Sequence, residues 1–153
     1  MIIMACDKAG VEYVQKCAAY FEQHGMEYTI SLPEDKNAYW YDYPDAAESV
    51  ARAVADGKAQ FGVLICGTGI GMSIAANKVK GIRAAVCGDT FSAEMTRRHN
   101  DANVICLGAR VLGEELMLRI VDAFFTAPFE GTTEAGKRHL DRVKKISRME
   151  EKF

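Results

Sequence analysis

The chain has 153 residues, 49% hydrophobic and 26% charged, with a formal net charge of -2 and an isoelectric point near 5.9. That length suits one domain with a substantial core. The weak negative charge argues against nucleic acid as the main partner, because backbone binding needs a strong positive field. No apolar run approaches the roughly 20 residues of a membrane span. The opening MIIMACDKAG has no charged leader before its apolar run, so it does not read as a signal peptide, and a cytoplasmic protein is expected.

The pattern alternates short apolar runs with longer amphipathic segments. MIIMAC (1–6) predicts a buried strand, and 10–24 a helix carrying Val11, Val14, Ala18 and Phe21 on one side. MEYTISL (26–32) predicts the second strand. Residues 44–57 form a helix, opened by Pro44 and closed by Gly57. FGVLIC (61–66) is the third strand, 70–79 a short helix, GIRAAVC (81–87) the fourth strand and 90–99 another helix. ANVICLG (102–108) is the fifth strand, 113–126 a helix that stops before Pro128, and the charged tail from 132 to about 151 is helical. Strands that are apolar throughout and separated by helices predict an α/β fold: a doubly wound, Rossmann-like parallel sheet of five strands covered on both faces. Such sheets bind ligands beyond the carboxyl ends of their strands. The polar, aromatic segment 31–43, with Tyr39, Trp40 and Tyr41, is the one long loop expected, and loops of that length are often functional.

The five cysteines are scattered and form no C-x-x-C pair, so reduced thiols are expected, without a disulfide frame or a zinc ribbon. One of them stands apart. In ICGTGIGMS, Cys66 ends a strand and is followed by Gly67, Gly69 and Gly71 and then a helix. Such a loop brings backbone N–H groups close to a ligand, and the helix start adds its positive end, which together make an anion site. It is not a Walker A loop, since Lys78 comes too late, and Met72 stands where a dinucleotide fingerprint needs glycine. Two readings of Cys66 follow. It is a small buried hydrophobe ending a core strand, or a thiol whose thiolate is favoured by the N–H groups around it. In the second reading it is a base beside an oxyanion hole, as proton abstraction next to a carbonyl requires.

The blocks GVLICGTGIGMSIAANKVKGIRAAVC, SAEMTRRHNDANVICLGARVLG and ACDKAG closely resemble the ribose-5-phosphate isomerase B family, which includes allose-6-phosphate and galactose-6-phosphate isomerases. The resemblance runs from residue 1 to about 145. It implies aldose–ketose interconversion through an enediolate, without a metal or other cofactor. It also implies dimers, often paired into tetramers, with active sites shared across the dimer interface. By position, Cys66 matches the base and Thr68 the hydroxyl beside it, while Gly67, Gly69 and Gly71 match the loop that holds the enediolate. Some members carry a glutamate base where this chain has Met72, which cannot serve. His99 matches the residue that opens the sugar ring and Asn100 one that steadies the intermediate, both from the neighbouring subunit. On its own, His99 would read as a cation near a helix end. Arg110, Arg138 and Arg142 match the phosphate clamp, Asp7 a contact to sugar oxygens and Tyr43 a wall of the sugar pocket. A solvated tail helix would account for Lys144, Lys145 and Arg148 but has no use for the R-H-x-x-R match at Arg138 and Arg142. His24 and His139 receive no role.

The chain departs from ribose enzymes at Lys8, where most carry histidine, in the 31–43 loop, and in the longer segment before Arg138. Lysine titrates about four units above histidine, so Lys8 suits phosphate binding better than proton transfer. All three departures touch substrate contacts and none touches the base. The expected function is isomerisation of ribose 5-phosphate. Allose 6-phosphate, galactose 6-phosphate or a tetrulose 4-phosphate are alternative substrates, and a non-catalytic phosphosugar-binding protein is the alternative class.

Overall fold

The computed structural model describes residues 1–33 and 41–152. Tyr39 and Trp40 lie outside the described residues, while Tyr41, near the end of that segment, donates from its hydroxyl to Leu32 O at 2.6 Å. The elements in chain order are β1 (Ile2–Cys6), α1 (Val11–Gln23), β2 (Tyr28–Ile30), α2 (Tyr43–Ala55), β3 (Phe61–Cys66), α3 (Ile70–Ala76), β4 (Ala84–Val86), α4 (Thr90–Asn100), β5 (Val104–Gly108), α5 (Glu114–Thr126) and α6 (Lys137–Met149). Short 3-10 turns at Lys8–Gly10 and Glu130–Thr132 precede α1 and α6.

The five strands form one parallel sheet in the order β2-β1-β3-β5-β4. β3 and β5 read as unbroken apolar runs because both of their faces are buried. One face of the sheet packs against α1 and α5 through Val14, Phe21, Met117, Ile120 and Phe124. The other packs against α2 and α3 through Ala46, Ala47, Val50, Met72 and Ala76. The chain winds to β2 on one side of β1 and to β5 and β4 on the far side of β3. The order therefore reverses between β1 and β3, where a crevice opens at the strands' carboxyl ends.

Both rim strands are shorter than expected. β2 spans 28–30 rather than 26–32, and β4 spans 84–86 rather than 81–87. A rim strand has one neighbour to pair with, and at β4 side chains take over the backbone groups. Asn103 Oδ1 accepts from Arg83 N and Asn77 Oδ1 from Ala84 N, both at 2.8 Å. The same Asn77 ends α3 at residue 76, short of the expected 79, by donating to Ser73 O and Ala84 O. The tail helix starts at Lys137 rather than 132, because Thr133 Oγ1 and Glu130 O organise a separate turn before it. No helix among the described residues is long and apolar enough to cross a membrane.

Candidate active site

The reversal point places the loops after β1 and β3 side by side. Asp7, just past β1, donates its N–H to Ile65 O at 3.2 Å, and its carboxylate accepts from Ala9 N at 2.8 Å. Across from it, β3 ends in Cys66. Gly69 then turns the chain with φ +78°, a left-handed conformation that glycine adopts without a side-chain clash. That turn aims the Gly69 N–H at Cys66 Sγ, 3.2 Å away. The first backbone bond of α3 runs from Ser73 N to Gly69 O, so the amides before Ser73 lie ahead of the helical ladder. Thr68 is exposed, and its Oγ1 accepts from Ile70 N at 3.3 Å.

Around this turn lies an open cleft of about 380 Å³, lined by Asp7, Tyr43, Cys66, Gly67, Thr68 and Arg110 among others. Gly71 makes room for one wall, since a Cβ there would sit 2.6 Å from the Tyr43 ring. Arg110 is held over the glycine loop by Arg110 N donating to Gly67 O at 3.0 Å, and its side chain lies beside Gly67. Lys8 follows Asp7 in the 3-10 turn and is exposed.

The other thiols are set apart by their surroundings. Burial pushes Cys6, Cys17 and Cys87 up to about 12, and raises Cys106 well above the ordinary range. Those four stay protonated near neutrality. Cys66 is the thiol that faces the cleft and receives an N–H from the glycine turn.

His99, Asn100, Arg138 and Arg142 do not join this cleft. α4 runs back against the strands, so His99 and Asn100 sit near the sheet's amino edge. Arg83, which precedes β4, donates from Nε to Asn100 O at 3.1 Å, and Gly62 at the start of β3 donates to Asn103 O. From Gly62 to Cys66 the strand rises about 13 Å, with Gly62 paired to Val104 and Cys66 to Gly108. Arg138 and Arg142 are exposed on α6, and Arg138 Nη1 donates to Ala135 O at 2.8 Å.

Two residues given no role by the sequence reading belong with His99. His139 is buried, at 3% exposure, and its ring stacks on that of His99 with centroids 4.1 Å apart and planes 1° from parallel. Glu130 Oε2 lies 3.6 Å from His99 Nε2 and 3.8 Å from His139 Nε2. Its other oxygen accepts from Arg98, which holds the carboxyl below its usual range. The available signal was helical spacing: His139 and Val143 are four apart and form the buried side of α6, while Arg138 and Arg142 are exposed.

Burial, followed by repulsion from His99 and Arg138, lowers the His139 pKa from 6.5. The unfolded chain therefore binds more protons than the folded one below about pH 6.5, so His139 favours folding above that value and loses that contribution as pH falls. Thermal unfolding followed between pH 7.5 and 5 (~neutral to mildly acid) is expected to show a falling midpoint, with a flatter dependence in His139→Phe. The Glu130 contribution has the same sign but is lost only below its ordinary value of 4.5.

The Ribose/Galactose Isomerase family profile matches residues 2–146. Ribose-5-phosphate isomerase B of Escherichia coli K12 is 43% identical over 154 residues, covering 99% of this chain and 97% of the relative. D-erythrulose-4-phosphate isomerase of Pectobacterium atrosepticum is 46% identical over 138 residues, 89% of each chain. The solved structure of Clostridium thermocellum ribose-5-phosphate isomerase B matches with a TM-score of 0.89 at 43% identity, covering 99% of this chain and 97% of that one.

Proposed function

The chain belongs to the ribose/galactose isomerase family, and from that premise we propose that it interconverts the aldose and ketose forms of a phosphorylated sugar, with ribose 5-phosphate and ribulose 5-phosphate as the pair. The observation that carries this reading is the Gly69 N–H donated to Cys66 Sγ, in a cleft that also holds Asp7, Tyr43 and Arg110. Cys66 as thiolate takes the proton from C2 of the open-chain aldose. The negative charge passes to the oxygens on C1 and C2, where the amides of the 67–71 loop stabilise the enediolate. Return of the proton to C1, with the hydroxyl proton of O2 passed to O1, gives the ketose. Thr68 steadies the reacting oxygens, and Asp7 and Tyr43 hold the sugar hydroxyls.

The remaining groups come from a second copy of the chain, seated so that its His99, Asn100, Arg138 and Arg142 face the cleft. There His99 opens the ring, Asn100 supports the intermediate, and Arg138 and Arg142 hold the phosphate with Arg110. Support comes from the placement of His99 and Asn100 about 13 Å from Cys66 along the strand direction, and of Asn100, Arg138 and Arg142 on exposed helix surfaces. Arginine forks suit phosphate. A homodimer, alone or paired into a tetramer, is the working unit.

A second reading takes a tetrulose 4-phosphate as substrate. It is favoured by Lys8 after Asp7 and by the 46% identity to the D-erythrulose-4-phosphate isomerase. An isomerase assay of the purified protein against ribose 5-phosphate, allose 6-phosphate, galactose 6-phosphate and erythrulose 4-phosphate separates the two. Preference for ribose 5-phosphate makes Lys8 a tolerated exchange. Preference for another sugar makes Lys8 a specificity element, and no turnover on any of them returns the chain to the binding-protein class. Arg142→Ala is expected to raise KM about tenfold, since a charged hydrogen bond contributes about 1.5–3 kcal/mol, with a smaller change in kcat. An unchanged KM would place the phosphate elsewhere.

A further inference from the structure

We propose that Glu130 and His139 are positioning residues that fix the His99 ring for opening the sugar. Glu130 holds Nε2 and His139 supports the ring face, so that Nδ1 is the nitrogen that exchanges a proton with the substrate. The inference rests on the role proposed for His99 above.

Four observations carry it. The two imidazoles are stacked in parallel, which restricts rotation of the His99 ring about its Cβ–Cγ bond. Glu130 Oε2 faces His99 Nε2 at 3.6 Å, a separation that a small side-chain movement closes to a hydrogen bond. Arg98 donates from Nε to Glu130 Oε1 at 2.6 Å and from Nη1 to Glu94 Oε1 at 2.6 Å, which keeps the carboxylate ionised and aimed. Both ring nitrogens of His139 are buried without a hydrogen-bond partner among the described residues. A buried polar ring left in that state is costly, and a role beside His99 accounts for its being there. The same three residues bring a ligand atom each within 4.8 Å of one another. They do not suit a metal ion, because two parallel rings cannot both direct an in-plane lone pair at one point.

In the step concerned, the bond from C1 to the ring oxygen breaks. The ring oxygen takes a proton from His99, the anomeric hydroxyl gives one to water, and water later restores His99. Ribose 5-phosphate needs this step because it is a closed furanose. Ribulose 5-phosphate does not, since its phosphorylated C5 oxygen cannot close a five-membered ring. Turnover of ribulose 5-phosphate can end with release of the open-chain aldose, which closes in solution, so kcat from the two sides reports separately on ring opening at the site.

Initial rates at saturating substrate would be measured from both sides for the intact chain and for Glu130→Gln, His139→Ala, His139→Phe and His99→Ala, with circular dichroism as a check on folding. Glu130→Gln and His139→Ala are expected to slow consumption of ribose 5-phosphate at least about tenfold, a part of what general acid catalysis contributes, and consumption of ribulose 5-phosphate less than about twofold. His139→Phe keeps a flat ring against His99 and should recover most of the loss. If His139→Ala does not fold, Glu130→Gln and His139→Phe decide the matter. Equal slowing in both directions, or none, in Glu130→Gln overturns the inference. When His99→Ala shows the asymmetry and Glu130→Gln does not, this inference alone fails. A His99→Ala variant without asymmetry removes the ring-opening role of His99 and the inference with it, as does a chain that does not turn over ribose 5-phosphate.

Discussion

Cys66→Ala is expected to abolish isomerisation, with kcat reduced by at least the ~10²–10⁴-fold that a positioned base contributes, while phosphosugar binding persists. The expectation follows from how little else the substitution touches. Cys66 is 5% exposed and ends β3, so alanine keeps the strand, the Gly69 turn and the Arg110 contact to Gly67. What disappears is the one sulfur that faces the cleft and accepts an N–H there. The groups proposed to bind phosphate keep their side chains in the variant, so affinity for the sugar phosphate should change by less than about threefold, below roughly 0.7 kcal/mol. Exchange of the C2 proton with deuterated solvent gives the sharper test, because it reads proton abstraction directly. If exchange continues at a comparable rate in Cys66→Ala, the base is another group, and Asp7 is the carboxylate nearest to hand. Cys66→Ser should behave like the alanine variant, since an alcohol ionises far less readily than a thiol.

Mixing two inactive proteins should restore activity. If each site draws Cys66 from one chain and His99 with Asn100 from another, a mixed dimer of Cys66→Ala and Asn100→Ala,His99→Ala chains carries one site with every group intact and one lacking all of them. Random pairing at equal amounts makes about half of all dimers mixed, so about a quarter of the intact site number should return. The size of the effect is set by geometry. His99 and Asn100 are at the end of α4 nearest the strand starts, Cys66 is at a strand end, and the sheet between them is rigid and buried. No side-chain rotation spans about 13 Å of strand. Unfolding and refolding the two variants together, then comparing with each refolded alone, reads the result. Absence of recovery would mean that each chain completes its own site, or that His99 and Asn100 take no part.

The parts of the fold that the sequence made legible are those governed by local chemistry. β3 and β5 are apolar at every position, and a strand with both faces covered leaves no other pattern. α2 carries Pro44 in its first turn, and Gly57 just beyond its end takes φ +72°. The Cys66 loop was legible for the same reason: alternate glycines after a strand have few uses other than close backbone approach. The rim strands were harder, because their ends are decided by Asn77 and Asn103 side chains arriving from other segments. The Glu130–His139 pair was illegible because it exists only when α6 packs on α4. In the sequence, a glutamate in a polar loop and a histidine in a charged tail look like solvated surface. The resemblance supplied His99 and the tail arginines, but not what stands behind His99.

The two short rims of the sheet bear on how copies of this chain meet. β2 and β4 each offer only three residues, and at β4 the adjoining backbone amides of Arg83 and Ala84 are already taken by asparagine side chains. A rim so brief gives a second chain little template for strand addition. The sheet thus offers little for growth at either end, without being curled into a barrel. Chains that gather at high concentration have to recognise one another through side-chain relief, which is selective, rather than through backbone pairing, which accepts almost any extended sequence.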